Sequence, residues 1–239
     1  MKLFNRLFPF ITCVILFSLS ASPGYGADLT EVIATLEQGY NSLADVQADF
    51  SQRTAIASMK REESGKGELF IKKASGSQAM FRFNYTKPRQ QIICDGKSVW
   101  YYLPDNKQVM VSDVTTLFAG GNGIALNYLT GMGHVSRDFT ITFAGEGRDK
   151  KGNYVLDLTP KKPSQVMTKL RLTIAASAVE QFRESGKPLV QFPIVSSAVD
   201  DPFGNRTTIE FSRVKVNQGM SSNRFGFKIP KGVEVIKNR

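Results

Sequence analysis

The stretch that decides the fold is MFRFNYTKPRQQIICDGKSVWYYLPDNKQVMV, residues 80–111. Aromatic and β-branched residues alternate with polar ones at a period of two, which predicts three or four consecutive strands. Phe81, Phe83 and Tyr85 share one face of the first strand, and Met80, Arg82 and Asn84 the other. Pro88 ends that strand, because proline donates nothing to a ladder and restricts the residue before it. Asp95-Gly96, between the apolar runs 91–94 and 98–102, predicts a type I′ hairpin turn. Six aromatics lie between Phe81 and Tyr102, too many for one packed layer unless something covers the sheet. They read either as ordinary core or as a concave apolar face that receives a ligand.

Outward from this block, Asp28-Leu29-Thr30-Glu31 reads as a helix start with a capping box. Leu29, Val32, Ile33, Leu36, Tyr40 and Leu43 then recur at helical spacing and form one apolar stripe. Val46, Ala48 and Phe50 alternate with polar residues as a strand. Residues 59–65 read as charged and flexible, and Gly67, Leu69 and Ile71 resume the alternation. Residues 114–129 read as two short helices joined by a turn at the glycine cluster 120–123. Strands are expected again at 139–144, 154–159, 167–175, 179–184, 189–199, 206–216 and 225–229. Sequential strands joined by short connectors rich in turn formers imply an antiparallel sheet, strongly curved or sandwiched.

The chain has 239 residues, 41% hydrophobic and 22% charged, within the range of one globular domain. Lys2 and Arg6 precede an apolar run over 7–19, and small residues follow at Gly24, Gly26 and Ala27, the layout of a secretory signal removed after Gly26 or Ala27. Residues 1–26 are therefore expected to leave, with a single domain over 27–239. Cys13 sits inside the apolar run with no small residue immediately before it, which argues against a lipid-anchored product. Once the signal is gone, Cys94 is the last cysteine and no internal disulfide can form. The net charge of +10 falls to about +8 when Lys2 and Arg6 leave. In an exported protein, a basic surface fits solubility, an anionic membrane or an acidic partner better than nucleic acid.

Catalytic sets are scarce. His134 is the sole histidine, so zinc clusters of histidine are impossible and a triad would hang on one loop residue. Asp200 and Asp201 are adjacent, beside Pro202 and Gly204, and read as a polar turn. Gly147 to Gly152 begins like a phosphate loop but continues with Asn153 where lysine is needed, and reads as a hairpin turn. These features predict a binding protein without cofactor or metal.

The central block resembles the signature of the LolA family, periplasmic carriers of outer-membrane lipoproteins, whose pattern runs F-R-W-x-Y-x-x-P, D-G-K-x-x-W-x-Y-x-P, then Q-V. Phe81, Arg82, Tyr85, Pro88, Asp95, Gly96, Lys97, Trp100, Tyr102, Pro104, Gln108 and Val109 match. Leu43, Ala48, Phe50 and Gln52 match an N-terminal L-x-x-x-x-A-x-F-x-Q, and Phe225, Phe227, Pro230, Gly232 and Val233 a closing F-x-F-x-x-P-x-G-V. The resemblance implies an α+β fold, an incomplete β-barrel of strongly curved antiparallel sheet with short helices over its open concave side. It further implies a monomeric periplasmic carrier, without enzymatic activity or a nucleic-acid partner. Its expected partners are acylated lipoproteins, an inner-membrane lipoprotein-releasing ABC transporter and an outer-membrane lipoprotein acceptor. The same scaffold could instead bind another lipid or sense a periplasmic signal.

On this basis the cavity is expected to use Phe81, Phe83, Trp100 and Tyr102 from the sheet, Leu36 and Tyr40 from the first helix, and Leu126 and Leu129 from a lid. Phe83 stands where the family has tryptophan. Where the family has Lys-Arg-Pro, with an arginine bonded to lid carbonyls, this chain has Lys72-Lys73-Ala74. Lys73 is thus the candidate latch, although lysine lacks the planar fork of arginine.

Overall fold

The structure, a computed structural model, describes residues 26–73, 79–114, 134–164, 167–187 and 191–237. Helix α1 (Leu29–Asn41) starts where the capping box predicts: Asp28 Oδ1 accepts from the Glu31 amide at 2.8 Å and Glu31 Oε2 accepts from the Asp28 amide at 2.9 Å. Its stripe of Val32, Leu36 and Tyr40 is buried.

Twelve strands follow in one sheet: β1 (Asp45–Ile56), β2 (Arg61–Lys73), β3 (Ala79–Lys87), β4 (Gln90–Cys94), β5 (Ser98–Leu103), β6 (Gln108–Asp113), β7 (Phe139–Arg148), β8 (Tyr154–Pro160), β9 (Lys169–Ile174), β10 (Ile194–Asp200), β11 (Arg206–Val216) and β12 (Glu234–Lys237). Among the described residues two further helices are α2 (Val135–Asp138) and α3 (Ala176–Ser185). The order across the sheet is β12-β6-β5-β4-β3-β2-β1-β11-β10-β9-β8-β7. Two antiparallel meanders, β1 to β6 and β7 to β11, are joined by the pairing of β11 with β1, and only β12 runs parallel to its neighbour β6. The end strands β12 and β7 do not pair with each other, so the barrel stays open.

One apolar core joins both meanders. It runs from Val46, Phe50, Leu69, Phe81 and Phe83 to Leu156, Leu158, Leu170, Leu172 and Ile174. Helix α1 lies over this concave side and is tied to both halves: Lys73 Nζ of β2 donates to Asn41 O at 2.8 Å, and Glu37 accepts from the Ser136 amide, just before β7, at 2.9 Å. An ion pair of 3.3 Å between Arg183 of α3 and Glu31 of α1 fastens the two helices together.

The opposite, convex side has its own small cluster of Phe70, Met220 and Phe225, with Met80 against it. The chain after β11 lies over that side. Asp45, 4% exposed, holds it there: its Oδ1 accepts from the Gln218 amide at 2.9 Å and its Oδ2 from the Met220 amide at 3.0 Å.

Several expectations are corrected. Residues 179–184 belong to helix α3, because Ala178, Val179 and Phe182 repeat at helical spacing and Gly186, at φ 64°, ends the helix in the left-handed region. Residues 225–229 form no strand; a 3-10 turn, Ser222–Phe225, buries Phe225 instead. The segment expected to be flexible at 59–65 is mostly strand, since β2 starts at Arg61 and pairs with β1 to the tip of the hairpin. The turn after β4 is not type I′. Gly96 alone takes positive φ, 92°, while the Asp95 carboxylate accepts from the Lys97 and Ser98 amides at 2.8 Å. The two helices expected over 114–129 lie almost wholly outside the described residues.

Candidate functional site

The concave face is assembled by register. Val46, Ile71, Phe81, Cys94 and Val99 form one rung across β1 to β5, and Ala48, Leu69, Phe83, Ile92 and Tyr101 the next. The other half continues with Phe143, Leu156, Leu172, Ser197 and Ile209, then Ile141, Leu158, Leu170, Val199 and Thr207. Directly paired residues point the same way, so these side chains line one trough.

The trough is graded. Under α1 its wall is buried: Phe81 and Cys94 are at 0% exposure and Phe83 at 5%. Leu156, Leu158, Leu170 and Leu172 are buried as well, whereas Tyr85, Ile92, Ile141, Phe143, Val199 and Ile209 are only half-buried. The same region carries a chain of neutral polar groups. Tyr85 donates to Gln52 Oε1 at 2.7 Å, Gln52 to Thr54 at 3.2 Å, and Thr54 Oγ1 lies 3.2 Å from Thr207 Oγ1. Tyr101 donates to Gln90 at 2.8 Å. Burial pushes the Tyr85 phenol up to about 12, with the nearby Tyr101 adding to it, and burial also raises Tyr101. These phenols therefore stay protonated and uncharged at any physiological pH. An apolar trough with neutral hydrogen-bonding groups suits hydrocarbon bearing a small polar end.

The structure places the expected site residues unequally. Leu36 and Tyr40 face the trough from α1, and Phe81 and Phe83 from β3, all of them buried. Trp100 and Tyr102 do not face it. They share register with Ile93 and Gln91, on the convex side, where Phe227 covers them at ring distances of 6.1 Å and 5.3 Å. The positions facing the trough from β5 are Val99 and Tyr101. Residue counting would have shown this: four residues separate the pair Tyr85 and Gln90, and four separate Cys94 and Val99, so both turns preserve the alternation. Leu126 and Leu129 lie outside the described residues.

Lys73 reaches a carbonyl of α1, whereas the lid it is expected to latch lies outside the described residues. The lysine Nζ donates to Asn41 O at 2.8 Å, at the C-terminal end of α1, and burial lowers its pKa. It anchors α1 where the helix dipole favours a cation. Neighbouring Lys72 turns the other way and donates to the Met220 carbonyl.

The groups weighed as catalytic stand in turns and at a helix start. His134 is exposed and precedes α2, with its carbonyl accepting from the Arg137 amide at 3.0 Å. Asp201 accepts from the Phe203 and Asn205 amides at 2.8 and 2.9 Å, and Asp200 is bonded to Arg206, so the pair closes the turn into β11 as expected. Asp149 does the same for the turn between β7 and β8, accepting from the Lys151 and Asn153 amides. Among the described residues no helix is long and apolar enough to cross a membrane, and no three His, Cys, Asp or Glu side chains gather as metal ligands.

Comparison with known proteins agrees with this geometry. The family model "Outer membrane lipoprotein carrier protein LolA" matches residues 41–228. An outer-membrane lipoprotein carrier protein of Chromobacterium violaceum is 28% identical over 231 residues, covering 96% of this chain and 97% of its own. One from Pseudomonas aeruginosa is 28% identical over 240 residues, covering 99% and 100%, and one from Neisseria meningitidis serogroup B is 28% identical with 98% of each chain covered. The match spans both meanders and the trough between them, and the chain belongs to the LolA family of outer-membrane lipoprotein carrier proteins.

Proposed function

We propose that this protein is a non-enzymatic periplasmic carrier that takes the acyl chains of lipoproteins into its trough. It receives them from an inner-membrane ABC transporter and hands them to an outer-membrane acceptor. Transfer free energy makes such a carrier necessary. Each methylene in water costs about 0.8 kcal/mol, so a chain of about 15 methylenes costs roughly 12 kcal/mol and does not cross an aqueous compartment unaided. The observation that carries the reading is the open sheet, largely apolar on its concave side, with Ile92, Ile141, Phe143, Val199 and Ile209 there only half-buried. Hydrocarbon laid there would bury the exposed parts of Ile92, Ile141, Phe143, Val199 and Ile209 without requiring a new fold. Residues 1–26 act as the export signal in this reading.

The test is release. Inner-membrane vesicles holding the transporter and a labelled triacylated lipoprotein are incubated with ATP and the mature protein. A soluble one-to-one complex of carrier and lipoprotein is expected, with the acyl chains protected from lipase. Lipoprotein that stays in the pellet, under conditions where another LolA-family carrier releases it, would remove the proposal.

A further inference from the structure

Tyr40 is 6% exposed, and its phenol oxygen is the one buried side-chain nitrogen or oxygen among the described residues without a hydrogen-bond partner. It leaves α1 on the same face as Val32 and Leu36. Its ring edge meets Phe192 at 5.6 Å, and Phe192 in turn meets Phe211 at 5.4 Å. Buried tyrosines ordinarily find a partner for the hydroxyl, and an unmade hydrogen bond there costs about 1–3 kcal/mol. Thr35, the other buried polar residue of α1, follows that rule and donates to Glu31 O at 2.8 Å. Phenylalanine at position 40 would keep the same ring contacts without the penalty, so packing gives no reason for the oxygen. Burial pushes the phenol well above its usual pKa, which keeps it a neutral donor.

We propose that the Tyr40 hydroxyl is a ligand-binding group that donates to the carbonyl oxygen of an acyl chain in the trough. Hydrocarbon has no acceptor, whereas an ester-linked chain carries one carbonyl where the hydrocarbon begins. The hydroxyl therefore fixes which end of the chain lies against α1, and distinguishes acyl chains from alkyl chains of equal length. This rests on the acyl-carrier reading above and adds to it a chemical requirement at one atom.

The test compares two glycerolipids that differ only in linkage, one with ester-linked and one with ether-linked chains, binding to the mature wild-type protein and to Tyr40→Phe. The wild type is expected to prefer the ester by about tenfold, the scale of one buried hydrogen bond. Tyr40→Phe should bind both with the affinity that the wild type shows for the ether, while its urea stability is equal or higher. An ester-to-ether ratio that is the same in both proteins would overturn the assignment. Failure of the wild type to bind either lipid would overturn the carrier reading, and this inference with it.

Discussion

The phenol of Tyr85 on β3 crosses the whole width of β2 to donate to Gln52 on β1, at 2.7 Å. Two glycines on β2 make the crossing possible. A Cβ at Gly65 would stand 3.1 Å from Tyr85 Cε1, and one at Gly67 only 2.0 Å from the backbone oxygen of Asn84. The two obstacles differ in kind, because a ring edge can swing aside and a strand backbone cannot.

Gly65→Ala is therefore expected to displace the Tyr85 ring, break its bond to Gln52 and cost about 1–2 kcal/mol. Gly67→Ala is expected to separate β2 from β3 and cost more than about 3 kcal/mol. Urea unfolding of the two variants checks the ranking, and equal losses would contradict it.

Trp100 is the single tryptophan of the chain, and it lies on the convex side under Phe227. Its emission should therefore not respond when lipid enters the trough. In a Trp100→Phe background, Phe83→Trp puts the indole on the concave face, and its emission should shift to the blue on loading. A response of Trp100 in the wild-type protein, with none at position 83, would reverse the assignment of the two faces.

Much of this architecture was legible in the sequence. The alternation of Phe81, Phe83 and Tyr85, the Asp28 capping box and the turn at Asp200 and Asp201 are local signals, and the structure keeps each of them. What escaped reading depends on partners distant in sequence. Trp100 and Tyr102 are bulky and apolar on either face, and only the segment around Phe227, which comes from far along the chain, covers them on the convex one. Helix α3 reads as a strand when Val179 to Glu184 are taken without Ala178 and Gly186. The unpaired hydroxyl of Tyr40 has no sequence signature, because only the packed neighbourhood shows that nothing meets it.

Lys73 joins β2 to the end of α1 through Asn41 O. Lys73→Met keeps the aliphatic stem and removes the cation from the helix C-terminus, so a loss of about 0.3–1 kcal/mol is expected. The effect should be local. Amide exchange should quicken in the last turn of α1 and remain unchanged in β8 to β10, with Lys73→Arg restoring protection. Unchanged exchange in Lys73→Met would reduce the contact to a surface ornament.

Asp45 ties the segment after β11 to the start of β1 with both carboxylate oxygens. Asp45→Ala leaves the Gln218 and Met220 amides without these acceptors, at an expected cost of about 2–3 kcal/mol. The segment should loosen before the rest of the sheet, so trypsin should cut first at exposed Arg224. A variant as resistant as the wild type would show that Phe225 and Met220 hold the segment by packing alone.

Cys94 provides a dependence on pH. Its side chain is at 0% exposure, and burial, with the Asp95 charge adding to it, pushes the thiol up to about 11 against the opposing hydrogen bond from the Gly96 amide. An unfolded thiol titrates near about 8.5. Between these values the unfolded chain releases the proton and the native one retains it, so the native state binds more protons. Stability must then fall as pH rises through this window, and level off above about 11. Cys94→Ala removes this contribution while sharing every other titrating group. The wild type should therefore lose urea stability more steeply than the variant between pH values of about 8.5 and 10.5. Parallel slopes would mean that Cys94 ionises in the native state as readily as in the unfolded chain, and that the deep end of the trough admits water.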